Sequence, residues 1–309
     1  MTSSELVAVG TLVLSIGALW IGAEAFVSNA AQVARRFGLS ELVIGLTVVA
    51  MGTSAPEAAV SIDAAFVGNG DIAVANVVGS NLFNIGIVLG GIAAVVRVRS
   101  SARMVRRDGA VMVASTLLLL AILWDLRVSR LDGIVLLSVF AGYLGILFVR
   151  TDTPAPVSDD GTGVTLGTAV FLVGGLGAII VGAHFLVESA VFIARAAGLS
   201  EWVIGETIVA VGTSTPEIVA SVAAARKGMG DIAAGNLIGS NVFNILLILG
   251  VTSTVAPIAV AETAIGTTTW LLGLSVLTVV LLGTRGYLGR LEGALLVAIN
   301  LSRWILDLL

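Results

Sequence analysis

The chain alternates long apolar stretches with short polar breaks. A helix that crosses a bilayer needs about 20 mainly apolar residues. Ten stretches approach or exceed that length, over approximately 6–34, 42–67, 72–96, 109–125, 131–149, 164–194, 202–225, 232–257, 264–283 and 287–307. The residue-by-residue alternation of a membrane β-barrel is absent. The pattern predicts an all-α membrane protein with ten transmembrane helices.

Composition agrees. Of 309 residues, 57% are hydrophobic and 12% charged, and the mean hydropathy of +1.08 excludes an ordinary water-soluble domain. The 37 glycines suit membrane helices, whose backbones approach closely at small residues. The sequence has no cysteine, which excludes disulfides and thiolate chemistry. The first apolar stretch lacks a basic leader and is too long for a signal h-region, so it reads as the first membrane helix. The net charge of −4 resides mostly in loops and points to no nucleic-acid partner. With ten spans, twelve of the sixteen lysines and arginines fall on one side, five of them (Arg97, Arg99, Arg103, Arg106, Arg107) after the third span. The positive-inside rule then predicts a plasma-membrane protein with both termini outside and the segment 151–163 in the cytoplasm.

The chain is also written twice. At an offset of 160, Gly22 to Gly90 aligns without a gap on Gly182 to Gly250, with about half the positions identical. Each copy carries five spans, an odd number, so the second copy must enter the membrane from the opposite face. The predicted organisation is a first five-helix repeat over 1–150, a linker over 151–163 and an inverted second repeat over 164–309. Inverted repeats with a polar site between them mark alternating-access transporters.

The polar residues inside the apolar stretches fall into two doubled motifs. G-T-S-x-P-E occupies Gly52 to Glu57 and Gly212 to Glu217. An ionised carboxylate at mid-membrane is costly without a partner, and neither span offers a basic one, so a bound cation is the natural counter-charge for Glu57 and Glu217. Hard oxygen ligands favour calcium, sodium or magnesium over zinc or copper. Pro56 and Pro216 lack the N–H that the carbonyls of Gly52 and Gly212 would accept, which predicts breaks in the second and seventh spans at mid-membrane. Carbonyls near Thr53 and Thr213 and the hydroxyls of Ser54 and Ser214 become candidate ligands. The competing reading is a proline kink with glutamates buried as neutral acids. G-S-N-x-F-N occupies Gly79 to Asn84 and Gly239 to Asn244. Asn76, Ser80 and Asn84 recur every four residues along one helix face, as do Asn236, Ser240 and Asn244. Interhelical hydrogen bonding is the plain alternative for such a stripe. Asn81 and Asn241 lie off it and are assigned to packing, and Asp71 and Asp231 to N-capping.

Both motifs, in register in both halves, resemble the alpha-repeats of the calcium/cation antiporter superfamily, and in particular its prokaryotic sodium/calcium exchangers. The resemblance covers nearly the whole chain. It implies four ion sites between the second, third, seventh and eighth spans. Glu57 and Glu217, with the carbonyls of Thr53 and Thr213, would hold calcium. Sodium would use the same glutamates with Ser54, Ser80 and the carbonyl of Ala50, and with Ser214, Ser240 and the carbonyl of Ala210. Asn84 and Asn244 would face the central site, and the first and sixth spans would slide to switch access. Several superfamily members have Asp where this chain has Asn244, which argues for potassium independence. The proton/calcium branch carries a G-N-x-x-E type motif, so sodium coupling is preferred to proton coupling. The transported ions are then calcium and sodium, the lipid bilayer is the surrounding partner, and no cofactor or obligatory protein partner is implied. A cation channel is the rival from another class, and no enzyme motif is present.

Two features break the repeat. Glu206, whose counterpart is Leu46, shares a helix face with Ala210, Thr213 and Glu217 and is expected in an external vestibule. His184, the only histidine, is expected to pair with Glu188 one turn away.

Overall fold

A computed structural model of the chain describes residues 3–36, 50–149, 165–226 and 230–308. They form helices joined by short connections and four two-residue strands. In chain order the helices are α1 Ser3–Arg36, α2 Ala50–Thr53, α3 Ala55–Phe66, α4 Gly70–Val95, α5 Ala102–Asp125 and α6 Arg130–Val149. The second half supplies α7 Leu166–Ala197, α8 Glu201–Thr213, α9 Thr215–Arg226, α10 over 230–255, α11 Thr263–Arg285 and α12 Arg290–Leu308. Among the described residues, seven helices are long and apolar enough to cross a membrane, and an eighth span arises if α8 and α9 are taken together. This is a multi-pass membrane protein. Part of the predicted second span and the whole linker 151–163 lie outside the described residues. The tenth stretch forms α12 but is too polar to count among the seven.

The predicted breaks fall where proline requires them. One residue, Ser54, separates α2 from α3, with φ −85° and ψ 9°. Its counterpart Ser214 has φ −78° and ψ 7° and separates α8 from α9, which meet at 47°. Both serines have left the α-helical well for the bridge region, because Pro56 and Pro216 cannot donate the hydrogen bond that would continue the preceding turn.

At the centre stands α4, 94% buried over its apolar window where α1 is 28% buried. It packs on α3, α8, α10, α11 and α12. Helices α1 and α7 form the most extensive helix pair, in contact through glycine. A Cβ on Gly22 would meet the Gly175 carbonyl oxygen at 2.8 Å, and one on Gly182 the Ser15 carbonyl oxygen at 3.2 Å. The two approaches exchange under the offset of 160.

The strands show the same exchange. β1 (Val98–Arg99) pairs antiparallel with β4 (Tyr287–Leu288), and β2 (Arg127–Val128) with β3 (Ile258–Ala259). Adding 160 to β1 gives β3, and adding it to β2 gives β4. The duplication therefore runs past the Gly90/Gly250 limit of the ungapped sequence match. Arg130-Leu131-Asp132-Gly133 recurs as Arg290-Leu291-Glu292-Gly293, and the acidic residue receives the backbone N–H three residues earlier in both copies, Ser129 to Asp132 at 2.8 Å and Gly289 to Glu292 at 3.1 Å.

Two expectations need correction. The fourth apolar stretch starts as a helix at Ala102, seven residues before the predicted boundary. Ser101 caps it by accepting from the Met104 N–H at 3.3 Å, so Arg103, Arg106 and Arg107 stand on its first turns and not in a loop. Long arginine side chains can carry their charge back to the interface, which hides such a turn from a hydropathy pattern. Asp71 is not the cap of its own helix. Asn69 holds that position, while Asp71 accepts from the Ala261 N–H at 2.7 Å and ties α4 to the connection between β3 and α11. The side chain of Asp231 lies outside the described residues.

Valine at Gly22 is predicted to cost about 1–3 kcal/mol by overpacking the α1/α7 contact, whereas valine at Gly17, where a Cβ meets nothing, is expected to be tolerated. Thermal unfolding of the detergent-solubilised variants checks this.

Candidate ion-binding site

The broken helices bring the two doubled motifs together. Glu57, on the first turn of α3, and Glu217, on the first turn of α9, are fully buried, and each carboxylate is held by the opposite half. Ser54 donates to Glu217 Oε1 at 2.9 Å and Ser214 to Glu57 Oε1 at 2.9 Å. Ser54 Oγ also lies 3.5 Å from Ser240 Oγ on α10. Each serine reaches across because the break places it between two helix segments. The second oxygen of each carboxylate, Oε2, has no hydrogen-bond partner among the described residues, and no basic side chain neutralises either glutamate there. The two carboxylates are close enough to interact electrostatically.

The stripes on α4 and α10 complete the surround. Thr53, Ser54, Ser80, Asn84, Thr213, Ser214, Ser240 and Asn244 are all buried, none more than 7% exposed. Ser80 Oγ, Asn84 Oδ1 and Asn244 Oδ1 join the two Oε2 atoms as buried oxygens without partners. The set contains only oxygens. Orphaned buried polar atoms are rare in folded proteins because each costs about 1–3 kcal/mol. These five oxygens, two of them from carboxylates, are of the kind that a hard cation would satisfy. Among the described residues no group of three or more His, Cys, Asp and Glu side chains could hold a metal.

Other members of the stripes are structural. Asn76 donates to the Glu57 carbonyl at 3.2 Å and to Ser61 at 3.0 Å, and accepts from Thr213 at 3.1 Å. It thereby fastens α3, α4 and α8 to one another. Asn236 repeats the bond to serine, reaching Ser221 at 3.0 Å. The Ala210 carbonyl accepts from the Ser214 N–H at 3.0 Å and from Thr213 Oγ1 at 3.2 Å. Ala50 opens α2. Asn81 and Asn241, assigned to packing from sequence, form hydrogen bonds between α4 and α10. Asn81 Nδ2 donates to the Asn241 carbonyl at 3.0 Å, and Asn241 Nδ2 to the Asn81 carbonyl at 3.2 Å. Asn84 and Asn244 lie in wide π-helical turns, Phe83–Leu89 and Asn244–Ile248, a feature that often accompanies functional sites and that nothing in the hydropathy pattern announces.

Glu206 is not in a vestibule. It is fully buried on another π turn, Gly205–Val209, about 12 Å along the helix axis from Ser214. Its backbone lies against Gly79, where a Cβ would meet the Glu206 carbonyl oxygen at 2.6 Å. Trp202 donates to Glu206 Oε2 at 2.8 Å and to Thr267 at 3.0 Å, and Arg303, which donates to Thr267 at 2.7 Å, lies within electrostatic reach. The partners on α11 and α12 that draw Glu206 inward are far away in sequence, and the π turn changes the register that its spacing to Ala210 assumed. His184 contacts Glu188 at 3.8 Å as expected, yet lies nearer to Asp63 on α3, at 3.3 Å.

The whole chain finds its relatives with this geometry in place. A sequence profile described as sodium/calcium exchanger protein matches residues 7–149 and 167–301. The chain belongs to the sodium/calcium exchanger family. The putative antiporter CaxA of Alkalimonas amylolytica is 36% identical over 94% of this chain and 95% of its own length. Sodium/calcium exchanger MaX1 of Methanosarcina acetivorans is 34% identical over 94% and 96%. Among solved structures, the sodium-calcium exchanger NCX_Mj soaked with 2.5 mM Na+ and 1 mM Sr2+ superposes with a TM-score of 0.69 at 32% identity, covering 96% of this chain and 97% of that one. Fold and family are therefore those of transporters and not of enzymes.

Replacing Glu206 with Leu, the residue at its repeat counterpart, is predicted to destabilise this family member by about 2 kcal/mol through loss of a charged hydrogen bond. The double replacement Glu206→Leu/Arg303→Leu should lose less, because no charge is left stranded. Chemical denaturation of the purified variants reads both.

Proposed function

We propose that this protein exchanges sodium for calcium across the plasma membrane by alternating access. The observation that carries the reading is the pair of fully buried carboxylates, each with one oxygen unsatisfied. Two negative charges match one divalent cation, and a buried carboxylate pair without counter-charge is unfavourable until something positive binds. Glu57 and Glu217, with the carbonyls of Thr53 and Thr213, would hold calcium. Sodium would take the same glutamates with Ser54, Ser80 and the Ala50 carbonyl in one half, and Ser214, Ser240 and the Ala210 carbonyl in the other. Asn84 and Asn244 would complete the centre.

Exchange then follows from competition, since the glutamates serve one complement of ions at a time. The architecture that supports it is a ten-span fold of two inverted five-helix repeats, 1–150 and 164–309, joined by a cytoplasmic linker over 151–163, with both termini outside. The α1/α7 pair, packed backbone to backbone through Gly22 and Gly182, is the unit that slides across the core. When more than two sodium ions move per calcium, net charge crosses, worth about 2.3 kcal/mol per elementary charge per 100 mV, and the membrane potential drives calcium outward. Asn244, an amide where potassium-dependent relatives have a carboxylate, supports potassium independence.

Calcium-45 uptake into proteoliposomes under an outward sodium gradient tests the reading. Uptake is expected with sodium and not with an imposed proton or potassium gradient, and Glu57→Gln and Glu217→Gln are each expected to abolish it. Proton-driven uptake that ignores sodium would establish proton/calcium antiport instead. Unchanged uptake in either glutamine variant would remove the glutamates from the ion path.

A further inference from the structure

Between α4 and α10, Asn81 and Asn241 bond to each other reciprocally, and each also receives the amide of one further asparagine, Asn244 and Asn84; all four are fully buried. An asparagine amide can be turned either way, oxygen for nitrogen, unless its surroundings decide. Here two backbone carbonyls decide, because a carbonyl can only accept. Asn241 O is met by Asn81 Nδ2 at 3.0 Å and Asn81 O by Asn241 Nδ2 at 3.2 Å, which fixes both amides. Their Oδ1 atoms are then acceptors, and only donors can approach them. Asn84 turns its Nδ2 to Asn241 Oδ1 at 3.2 Å, and Asn244 turns its Nδ2 to Asn81 Oδ1 at 2.9 Å. The atoms left over are Asn84 Oδ1 and Asn244 Oδ1, two amide oxygens that have no partner among the described residues.

We infer that Asn81 and Asn241 are positioning residues that hold Asn244 and Asn84 with their amide nitrogens occupied, so that these two side chains offer a cation only oxygen. A freely turning amide would present its NH2 group part of the time and repel the ion. The control is crossed, since Asn81 of the first half sets Asn244 of the second, and Asn241 sets Asn84. This inference rests on the ion-site reading above and adds two residues that touch no ion.

Alanine is an informative substitution because it removes the side chain and keeps the backbone carbonyl. In Asn81→Ala the carbonyl of residue 81 still fixes Asn241, which still fixes Asn84, and only Asn244 is released. Calcium affinity can be read from the thermal stabilisation that calcium alone, without sodium, gives the purified full-length protein. Asn84→Ala, Asn244→Ala, Asn81→Ala and Asn241→Ala are each expected to weaken binding about tenfold, the scale of one hydrogen bond. The doubles carry the decision, because residues acting through one another are non-additive. Asn81→Ala/Asn244→Ala should bind no more weakly than Asn244→Ala alone, whereas Asn81→Ala/Asn84→Ala should weaken binding about a hundredfold, the product of two independent losses. Where Asn81→Ala does not fold, Asn81→Ser, whose side chain is too short to reach Asn244, carries the same expectation. Unchanged affinity in Asn81→Ala, or doubles that multiply alike, would overturn the positioning role and leave the ion site standing. Unchanged affinity in both Asn84→Ala and Asn244→Ala would remove these amides from the calcium site and overturn this inference, whereas the glutamate site stands or falls by the uptake of the Glu57→Gln and Glu217→Gln variants.

Discussion

Two carboxylates buried at the centre of an apolar protein, with no basic side chain among the described residues to neutralise them, are the constraint on which the rest of the structure depends. Each must be held, so the opposite half provides a serine. Each serine must stand where a helix is interrupted, so a proline follows two residues later. The interruption exposes polar backbone that lipid cannot solvate, so it is enclosed by α4 and α10, whose own polar stripes face inward. The oxygen-only surround, the broken helices and the burial of α4 are thus successive answers to one electrostatic problem.

The duplicated sequence gives that answer its economy. Several contacts of the centre occur twice under the same offset, among them the serine bonds to the glutamates and the reciprocal asparagine bonds. The departures from symmetry lie farther out. Glu206 replaces a leucine and is tied to Trp202, Thr267 and Arg303, which anchors the second half of the centre to α11 and α12. In the first half, the positions matching Thr267 and Arg303 are Arg107 and Tyr143, which meet around Asp108 instead, with Arg107 at 2.7 Å and Tyr143 at 3.0 Å. The peripheral helices have therefore diverged in their polar contacts, while the serine–glutamate and asparagine–asparagine bonds of the centre are kept in both halves.

Much of this was legible in the sequence, because it follows from local chemistry. A proline in an apolar stretch breaks a helix wherever it sits, and polar residues four apart share a face in any helix. The membrane class and the family could be read from the hydropathy and the doubled motifs. What could not be read depends on partners remote in the chain. Asn81 stands off the polar stripe, and only the presence of Asn241 beside it turns a packing residue into a hydrogen-bonding one. Asp71 resembles a helix cap until Ala261 arrives from the far half. The start of α5 was obscured by arginines that a hydropathy pattern counts as loop. The π turns around Asn84, Glu206 and Asn244 are one-residue adjustments with no compositional signature.

The exchanged strands carry a consequence for how the protein is made. β1 is completed by β4 and β2 by β3, so each half leaves two strand edges that only the other half can pair. Arg99 waits for Tyr287, a partner more than half the chain away. During synthesis the first half must reside in the bilayer with its edges open and its carboxylate unsupported until the second half is complete. Contacts of such long sequence separation form slowly and leave partly assembled chains exposed to wrong pairings. The short length of the strands, two residues each, limits that hazard by offering a stray partner little to bind.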